Sequence, residues 1–248
     1  VKYKNFCFLE FFYPEIESFL SPQIKQEIIK KVKELNDNNI EEFDKKRKLG
    51  ENDDFICHLI RNDLIDEFIS HMNQSNLPLS YQIQPSLYET NIFLISNRPS
   101  LIQYSAFFGS IQIFKYLYLN GMKTTPILFN YAIHGENPEI IHFLEQNKDK
   151  KAVLLFDEYI NESIKCHHNE ITNYFINKLT KKFNENSINV SVTSLKYHNY
   201  IYFPSNLCNE NVFYYLCKYN YINLVKLLLQ TKKININCKN NDVFYNFE

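Results

Sequence analysis

The densest group of residues that could do chemistry in this 248-residue chain is Cys166-His167-His168. Thiolate and imidazole groups are zinc ligands, but a structural zinc site needs four of them, usually paired as C-x2-C and H-x3-5-H. The sequence supplies no second pair to complete this set. His167 and His168 also fall at a turn between two predicted helices, where polar residues are common. We therefore expect no metal here and interpret the three residues as part of a turn.

Other patterns that would support catalysis are missing. His134 and His142 flank a predicted helix, and a single histidine near a helix end is usually a capping or surface residue. The chain has no Gly-x-Ser-x-Gly motif, and its few glycines cannot be assembled into a P-loop or a dinucleotide-binding fingerprint. We therefore expect no catalytic residue, no cofactor and no small-molecule substrate, so the protein is predicted not to be an enzyme.

A short basic run, Lys45-Lys-Arg-Lys48, could contact phosphate or act as a nuclear-import signal. The competing interpretation is an exposed helix end, where cations complement the helix dipole and Gly50 stops the helix. Acidic neighbours dilute the positive field, and a net charge of −1 gives no overall attraction to nucleic acid or to an anionic membrane. We favour the helix end. A nuclear or nucleic-acid-associated adaptor that uses this basic run is the alternative function.

The elements that position these residues are best seen in residues 100–121, which predict two short helices joined by a tight turn. Ser100 is a candidate N-cap, because its hydroxyl can accept from free N–H groups of a first helical turn. Gly109 and Gly121 each end a helix, since glycine adopts the left-handed conformation at no steric cost. Residues 111–118 carry an apolar face at helical spacing. The segment therefore predicts a helical hairpin.

A degraded copy of this hairpin follows directly. Thr125-Pro126 begins it, because proline suits the first turn of a helix. Ala132 then takes the place of Ala106, and Gly135 that of Gly109. The step from Ala106 to Ala132 is 26 residues (132 − 106), long enough for two helices and little else. Such a unit cannot bury both faces of its own helices, so the pattern predicts that hairpins stack on one another.

These copies resemble the ankyrin repeat, whose pattern runs from a small residue and Ala-x-x-Gly through a Glu-Ile or Gln-Ile pair to Leu. Two further copies are predicted at 163–175 and at 216–229. The Thr-Pro-Leu-His unit is absent, and the first two copies are shorter than the family's usual 33 residues. The chain is similar to the divergent, Asn- and Tyr-rich ankyrin proteins of large protist families. The matching positions are Ser105, Ala106, Gly109, Gln112, Ile113, Lys115, Leu117 and Gly121 in the first copy, and Ala132, Gly135, Glu139, Ile140, Ile141 and Leu144 in the second.

The resemblance implies an all-α solenoid of helical hairpins with reduced or missing β-hairpin fingers. It also implies a non-catalytic scaffold that binds another protein, of unknown identity, on a surface formed by the hairpin connections and the first helices. On that surface we place four tentative partner contacts: Gln103, Met122, Lys123 and Thr124.

The predicted organisation has three parts. Residues 1–98 form an N-terminal helical region with a candidate degenerate repeat at 55–72. Residues 99–240 carry the ankyrin-like repeats, at about 100–121, 125–146, 157–179 and 208–237. Residues 241–248 begin a truncated repeat, and we expect the chain to be a fragment because residue 1 is not Met.

The cysteines and the hydropathy bear on the compartment. The six cysteines are scattered, with no pair two residues apart, which is typical of reduced thiols rather than of a disulfide framework. No apolar run approaches the length that spans a bilayer. We therefore expect an intracellular protein, cytoplasmic rather than nuclear, with no membrane partner.

Overall fold

The computed structural model describes residues 9–35, 40–147, 155–182, 190–204 and 210–231. These residues are mostly helical and contain no β-strand. Within them, strand-like pairing is limited to a single bridge between Gln82 and Ser100. The all-α prediction is therefore confirmed for the described part of the chain. The chain divides into two compact units, Val1–Lys123 (unit 1) and Thr124–Glu248 (unit 2).

Unit 1 contains eight described α-helices and a short 3-10 helix, and unit 2 contains seven described α-helices and another 3-10 helix. In unit 1 they are α1 (Tyr13–Ile16), the 3-10 helix Glu17–Phe19, α2 (Pro22–Leu35), α3 (Ile40–Leu49), α4 (Phe55–Arg61), α5 (Ile65–Gln74), α6 (Ile92–Asn97), α7 (Leu101–Phe107) and α8 (Ile111–Leu119). In unit 2 they are α9 (Leu128–Gly135), α10 (Pro138–Gln146), α11 (Phe156–Lys165), α12 (Asn169–Lys182), α13 (Val190–Tyr197), the 3-10 helix Tyr200–Tyr202, α14 (Glu210–Lys218) and α15 (Ile222–Gln230).

The first helices of unit 1 enclose a small core of their own. Ile28 and Val32 lie one turn apart on α2 and are buried against Phe43 of α3 and Tyr88 of the following connection. An i, i+4 apolar pair places both side chains on one face of the helix. At the rim, the Lys31 ammonium lies 3.2 Å from the carboxylate of Glu10. The two helices α2 and α3 are thus held together by apolar burial.

Two helical hairpins complete unit 1. Hairpin A consists of α4 and α5, and hairpin B consists of α7 and α8. First helix contacts first helix (α4 with α7) and second contacts second (α5 with α8). The predicted N-cap at Ser100 is confirmed, since Gln103 Oε1 accepts from the Ser100 N–H at 2.8 Å and from its hydroxyl at 3.1 Å. Phe114 is fully buried, and burial of a side chain of this size stabilises the fold by about 2–3 kcal/mol.

Unit 2 contains four more hairpins among its described residues. They are C (α9 and α10), D (α11 and α12), E (α13 and the 3-10 helix) and F (α14 and α15). Their first helices contact one another in chain order: α9 with α11, α11 with α13, and α13 with α14. Hairpin E lies between the predicted repeats at 157–179 and 208–237, in a stretch for which the sequence predicted no repeat.

The same backbone turn joins the two helices of every described hairpin. A residue with a left-handed backbone stands two positions before the second helix begins. In five of the six turns, the N–H of the next residue donates to the carbonyl five residues earlier, which closes the end of the first helix. The left-handed residues are Asp63 (φ 51°), Gly109 (φ 68°), Glu136 (φ 49°), His167 (φ 61°), His198 (φ 56°) and Asn220 (φ 65°).

This turn corrects the alignment of the second copy with the first. Gly135 is the last residue of α9, and the counterpart of Gly109 is Glu136. Asn137 accepts from the Glu139 N–H at 2.9 Å and so fixes the start of α10, which lets α9 run one residue further. Ala132 therefore corresponds to Ser105 and not to Ala106. At the other end of hairpin B, Gly121 has a φ of 93° and ends α8 as predicted.

The turns also explain the 53-residue interval between Ile171 and Leu224, which fits neither one repeat nor two full ones. The turn of hairpin E divides that interval. The left-handed residues of hairpins D and E are 31 residues apart (167 to 198), and those of E and F are 22 apart (198 to 220). Hairpin E is short because a single 3-10 turn takes the place of its second helix.

Small residues stand where neighbouring first helices approach. The residue four positions before the left-handed one is fully buried and is Ser or Ala in four of the six hairpins. Each of the three serines turns its hydroxyl back onto the carbonyl three residues earlier, at 2.7–3.0 Å, so that burial leaves no free donor. The four small residues are Ser105, Ala132, Ser163 and Ser194.

Candidate functional site

Side chains at the turns link each hairpin to the one before it within a unit. The donor is the side chain of the residue that directly follows the left-handed one. The acceptor is a backbone carbonyl of the preceding hairpin, three positions before that hairpin's own left-handed residue. We call these bonds the turn ladder. Because each bond joins a side chain of one hairpin to a carbonyl in the last turn of the preceding first helix, it helps to fix the position of one hairpin on the next. The ladder bonds are Ser110 Oγ to Ile60 O in unit 1, and Asn199 Nδ2 to Ile164 O (3.1 Å) and Tyr221 Oη to Leu195 O (2.9 Å) in unit 2.

The step from hairpin C to hairpin D is different. His168 holds the ladder position, and its ring Nδ1 contacts the carboxylate of Glu136, the left-handed residue of hairpin C. Burial lowers the pKa of His168, and the charge of Glu136 offsets this only in part. A pair of titratable groups thus replaces the neutral hydrogen bond of the other steps.

Beside this pair, three further side chains meet between the first helices of hairpins C and D. His134 lies in the last turn of α9, Glu162 lies in α11, and Cys166 caps the end of α11. Because Glu162 and Cys166 are four residues apart, they share one helix face. His134 Nε2 lies 2.9 Å from Glu162 Oε1, and Cys166 Sγ lies 3.5 Å and 3.6 Å from the two ring nitrogens.

The electrostatics of this cluster favour a charged carboxylate and a neutral thiol. Burial opposes ionisation of Glu162, but hydrogen bonds from His134 and from the Lys165 ammonium (3.0 Å) outweigh it and lower the carboxyl pKa. Burial, reinforced by the negative charge of Glu162, raises the pKa of the Cys166 thiol to about 12. A nucleophilic cysteine needs a lowered pKa. The arrangement therefore does not activate Cys166 for covalent catalysis.

In the structure, the neighbouring residues Cys166, His167 and His168 each contact a different partner. Cys166 meets His134, His168 meets Glu136, and the His167 ring nitrogen lies 3.0 Å from the carbonyl of Tyr197. The turn interpretation of His167 is confirmed by its left-handed backbone. The residues that join Cys166 are instead 4 and 32 positions away in the sequence. Ligand atoms of His134, Glu162 and Cys166 all lie within 4.8 Å of one another, so these three residues could hold a metal ion.

Comparison with known proteins adds no identification. No protein-family model matches the chain, and no curated protein and no solved structure is found to match it. None of the described helices is long and apolar enough to cross a membrane.

The four tentative partner contacts fall in different settings. Gln103 is half-buried, and its side-chain oxygen is engaged in the N-terminal cap of α7. Lys123 is exposed, while Met122 and Thr124 are half-buried. Gln103, Met122 and Lys123 belong to unit 1 and Thr124 to unit 2. Of the four, Lys123 is the residue best placed to meet a partner.

In the basic run 45–48, two of the four cations form ion pairs and the other two are exposed. Lys46 lies 3.1 Å from Asp53, and Arg47 lies 2.6 Å from Glu15 and is largely buried. Lys45 and Lys48 are exposed on the same helix. Two of the four cations are therefore neutralised by nearby carboxylates, which weakens the field that a phosphate backbone would meet.

A second polar cluster joins the second helices of hairpins C and D. Glu145 is largely buried, and it accepts from the hydroxyl of Tyr174 and from the ammonium of Lys178. His142, the other histidine considered in the sequence, is exposed and stacks edge-on against Tyr174. Burial first, and then the neighbouring Glu145, raise the pKa of Tyr174. We interpret this cluster as a polar link between the two helices.

Sequence reasoning missed the turn ladder and the grouping of His134 with Glu162. The signal available for the ladder was weak: a polar or aromatic residue directly before the second helix in five of the six hairpins. No local signal could join His134 to Cys166, because the contact depends on how α9 packs against α11.

Proposed function

We propose that this protein is an ankyrin-like array of helical hairpins that serves as a non-catalytic scaffold for binding another protein. The observation that carries the proposal is the turn shared by all six described hairpins. A left-handed residue and a second helix that begins two residues later recur in all six, from Asp63 to Asn220, and a hydrogen bond closes the end of the first helix in five of them. Arrays of such units generally bind partners along an extended surface.

The arrangement of the helices supports the same proposal. Within each unit the first helices of successive hairpins contact one another, as stacking of repeats requires, and in unit 1 the second helices do so as well. The connection between hairpins B and C contains no strand in the described residues 120–127. This agrees with the reduced fingers implied by the resemblance, and it leaves the first helices as the main surface for a partner.

The exposed face of α11 is the best-defined part of the proposed surface. Asp157, Glu158, Asn161 and Lys165 are all exposed and recur at helical spacing, while Tyr159 and Ile160 between them are buried. Asn161 is joined to the next hairpin, since its Oδ1 accepts from the hydroxyl of Thr193 at 2.7 Å. The face is therefore polar and continuous from hairpin D to hairpin E, which fits a protein partner better than an apolar ligand.

Free thiols fit an intracellular setting for this scaffold. The cysteines that lie in the described residues, Cys57, Cys166 and Cys217, form no disulfide. Reduced thiols are usual in the cytosol and the nucleus. We therefore extend the proposal to an intracellular protein.

Charge reversal on the two faces of hairpin D tests the proposal. Glu158 lies in the first turn of α11, and Glu170 lies in the first turn of α12. Both are exposed, so Glu158→Lys and Glu170→Lys disturb a helix dipole to a similar extent. Tagged full-length chains would be isolated from cells that produce the protein, and the co-purifying proteins quantified by mass spectrometry.

The two variants should behave differently. Glu158→Lys, and Lys123→Glu in the connection, should each reduce a specific co-purifying protein by about tenfold, the effect of losing 1.4 kcal/mol of binding free energy. Glu170→Lys should leave it unchanged. A set of co-purifying proteins that all three variants share with the wild type would contradict the proposed surface.

A further inference from the structure

Three donor atoms of different chemical type converge between hairpins C and D. They are an imidazole nitrogen of His134, a carboxylate oxygen of Glu162 and the sulfur of Cys166. The side chains of His134 and Glu162 are each only 15% exposed, so the group is largely withdrawn from water. A polar contact between two helices needs only one donor and one acceptor. The presence of nitrogen, oxygen and sulfur at one point indicates a further role.

The donor atoms lie close enough together to become ligands of a tetrahedral zinc ion after small side-chain movements. Zinc lies about 2.0–2.1 Å from imidazole nitrogen, about 2.3 Å from thiolate sulfur and about 2.0–2.2 Å from carboxylate oxygen. Tetrahedral angles then separate sulfur from nitrogen by about 3.6 Å and nitrogen from oxygen by about 3.4 Å. Cys166 Sγ lies 3.6 Å from His134 Nε2, which is close to the first value, but it also lies 3.5 Å from Nδ1, so the sulfur now sits over the imidazole ring. The Cys166 side chain would have to turn toward the Nε2 side of the ring to become a ligand. His134 Nε2 and Glu162 Oε1, now hydrogen-bonded at 2.9 Å, would separate by about 0.5 Å to admit the ion.

We propose that His134, Glu162 and Cys166 form a binding site for Zn²⁺, or for a divalent ion of similar ligand preference, which clamps hairpin C to hairpin D. Thiolate with imidazole selects zinc over magnesium or calcium, whose ligands are oxygen atoms. Three protein ligands leave the fourth position to water. The ion joins the end of α9 to the end of α11, at the step where His168 and Glu136 replace the neutral ladder bond.

Binding changes the charges in a defined way. The Cys166 thiol, whose pKa burial raises to about 12, is protonated at neutral pH and must lose its proton to become a ligand. The ion's two positive charges then balance the thiolate and the Glu162 carboxylate. Lys165, which now neutralises Glu162 at 3.0 Å, competes with the metal for the carboxylate. Removal of the Lys165 ammonium should therefore strengthen metal binding.

Cobalt(II) reports directly on thiolate ligation, because a cobalt–thiolate bond gives a charge-transfer absorption that oxygen and nitrogen ligands do not give. The full-length reduced chain would be titrated with Co²⁺, and the bound Co²⁺ then displaced with Zn²⁺. We expect one equivalent of Co²⁺ with a thiolate band, and release of about one proton for each Zn²⁺ bound at neutral pH. The absence of a thiolate band in the wild-type chain would overturn the proposal.

Variants distinguish this site from the other cysteines. Cys166→Ser should abolish the band, and Glu162→Gln should weaken affinity by at least about tenfold. Cys217→Ser, at an exposed cysteine of hairpin F, is the matched control and should change neither. Lys165→Met should increase affinity, and this result does not depend on whether a ligand variant folds. A band that survives in Cys166→Ser, or an unchanged affinity in Lys165→Met, would contradict the assignment.

Discussion

Removal of one side chain of the turn ladder should loosen hairpin D from hairpin E. Asn199 is 1% exposed, and its Nδ2 donates to Ile164 O at 3.1 Å and to Asn169 Oδ1 at 2.9 Å. Asn199→Ala removes both hydrogen bonds, together with the longer one that Asn199 Oδ1 accepts from the Ile201 N–H at 3.4 Å, and leaves Asn169 Oδ1 without this donor. A buried hydrogen bond contributes about 1 kcal/mol, and an unsatisfied buried partner adds about 1–3 kcal/mol. We therefore expect a loss of about 2–4 kcal/mol in the free energy of unfolding.

The loss can be measured by urea denaturation followed by circular dichroism. Asn97→Ala is the matched control, because its side chain also donates to a backbone carbonyl, at 2.8 Å, but at an exposed position within its own helix. That variant should lose about 0.5 kcal/mol or less, as is usual for exposed sites. A double-mutant cycle between Asn199 and Asn169 should give a coupling of at least about 0.5 kcal/mol. Equal losses for Asn199→Ala and Asn97→Ala, with no coupling, would refute the ladder.

Three further predictions concern the glycines, the acid side of the pH range and the basic run. Gly121→Ala should lower the free energy of unfolding by about 1 kcal/mol, from the left-handed backbone alone, since nothing lies within 4 Å of the added Cβ. Gly50→Ala should lower it more in urea denaturation, because its Cβ would lie 2.8 Å from Thr90 Oγ1. Because the pKa of Glu162 is lowered in the folded state, its ionised form stabilises the fold above the ordinary pKa of 4.5, and this contribution is lost as the pH falls through the lower folded-state pKa. Glu162→Gln should therefore be less stable than wild type at pH 7 in urea denaturation. The difference in the free energy of unfolding should disappear as the pH is lowered. Replacement of Lys45 and Lys48 by Ala should leave any weak, salt-dependent binding to duplex DNA or RNA unchanged in fluorescence anisotropy, and a large fall in affinity would favour the nucleic-acid alternative.

The sequence predicts those parts of the fold that rest on local patterns. The apolar spacing of Ile28 and Val32 predicts α2, and Ser100 with Gly109 and Gly121 predicts both ends of hairpin B. Each of these signals acts over a few residues, through the period of a helix or the chemistry of a cap. The structure agrees with them because the tertiary contacts reinforce the local preference.

The sequence does not predict hairpin E. Its first helix, Val190–Tyr197, has only a few apolar residues and also contains Ser191, Thr193 and Ser194, so no helical apolar pattern stands out. Its burial comes from neighbours on both sides, which a local pattern does not contain. The same holds for Glu136. A glycine one position earlier is the obvious candidate for a left-handed turn, yet the cap at Asn137 moves the turn by one residue.

The grouping of His134, Glu162 and Cys166 could not be predicted for a related reason. Histidine and cysteine in the zinc motifs of small domains lie a few residues apart, whereas 32 residues separate His134 from Cys166. Only the packing of α9 on α11 brings them together. A sequence search would need the spacing of the turns, 31 residues from Glu136 to His167, before it could align the two first helices.

The recurring turn is the central claim, and NMR spectroscopy tests it directly. A left-handed residue brings its own N–H and Hα close together, so a strong intraresidue cross-peak marks each one. We predict such peaks at Glu136, His167, His198 and Asn220 in unit 2, together with slow amide exchange at His168, Asn199 and Tyr221, whose N–H groups close the first helices. A strong peak at Gly135 with none at Glu136, or fast exchange at all three amides, would contradict the account.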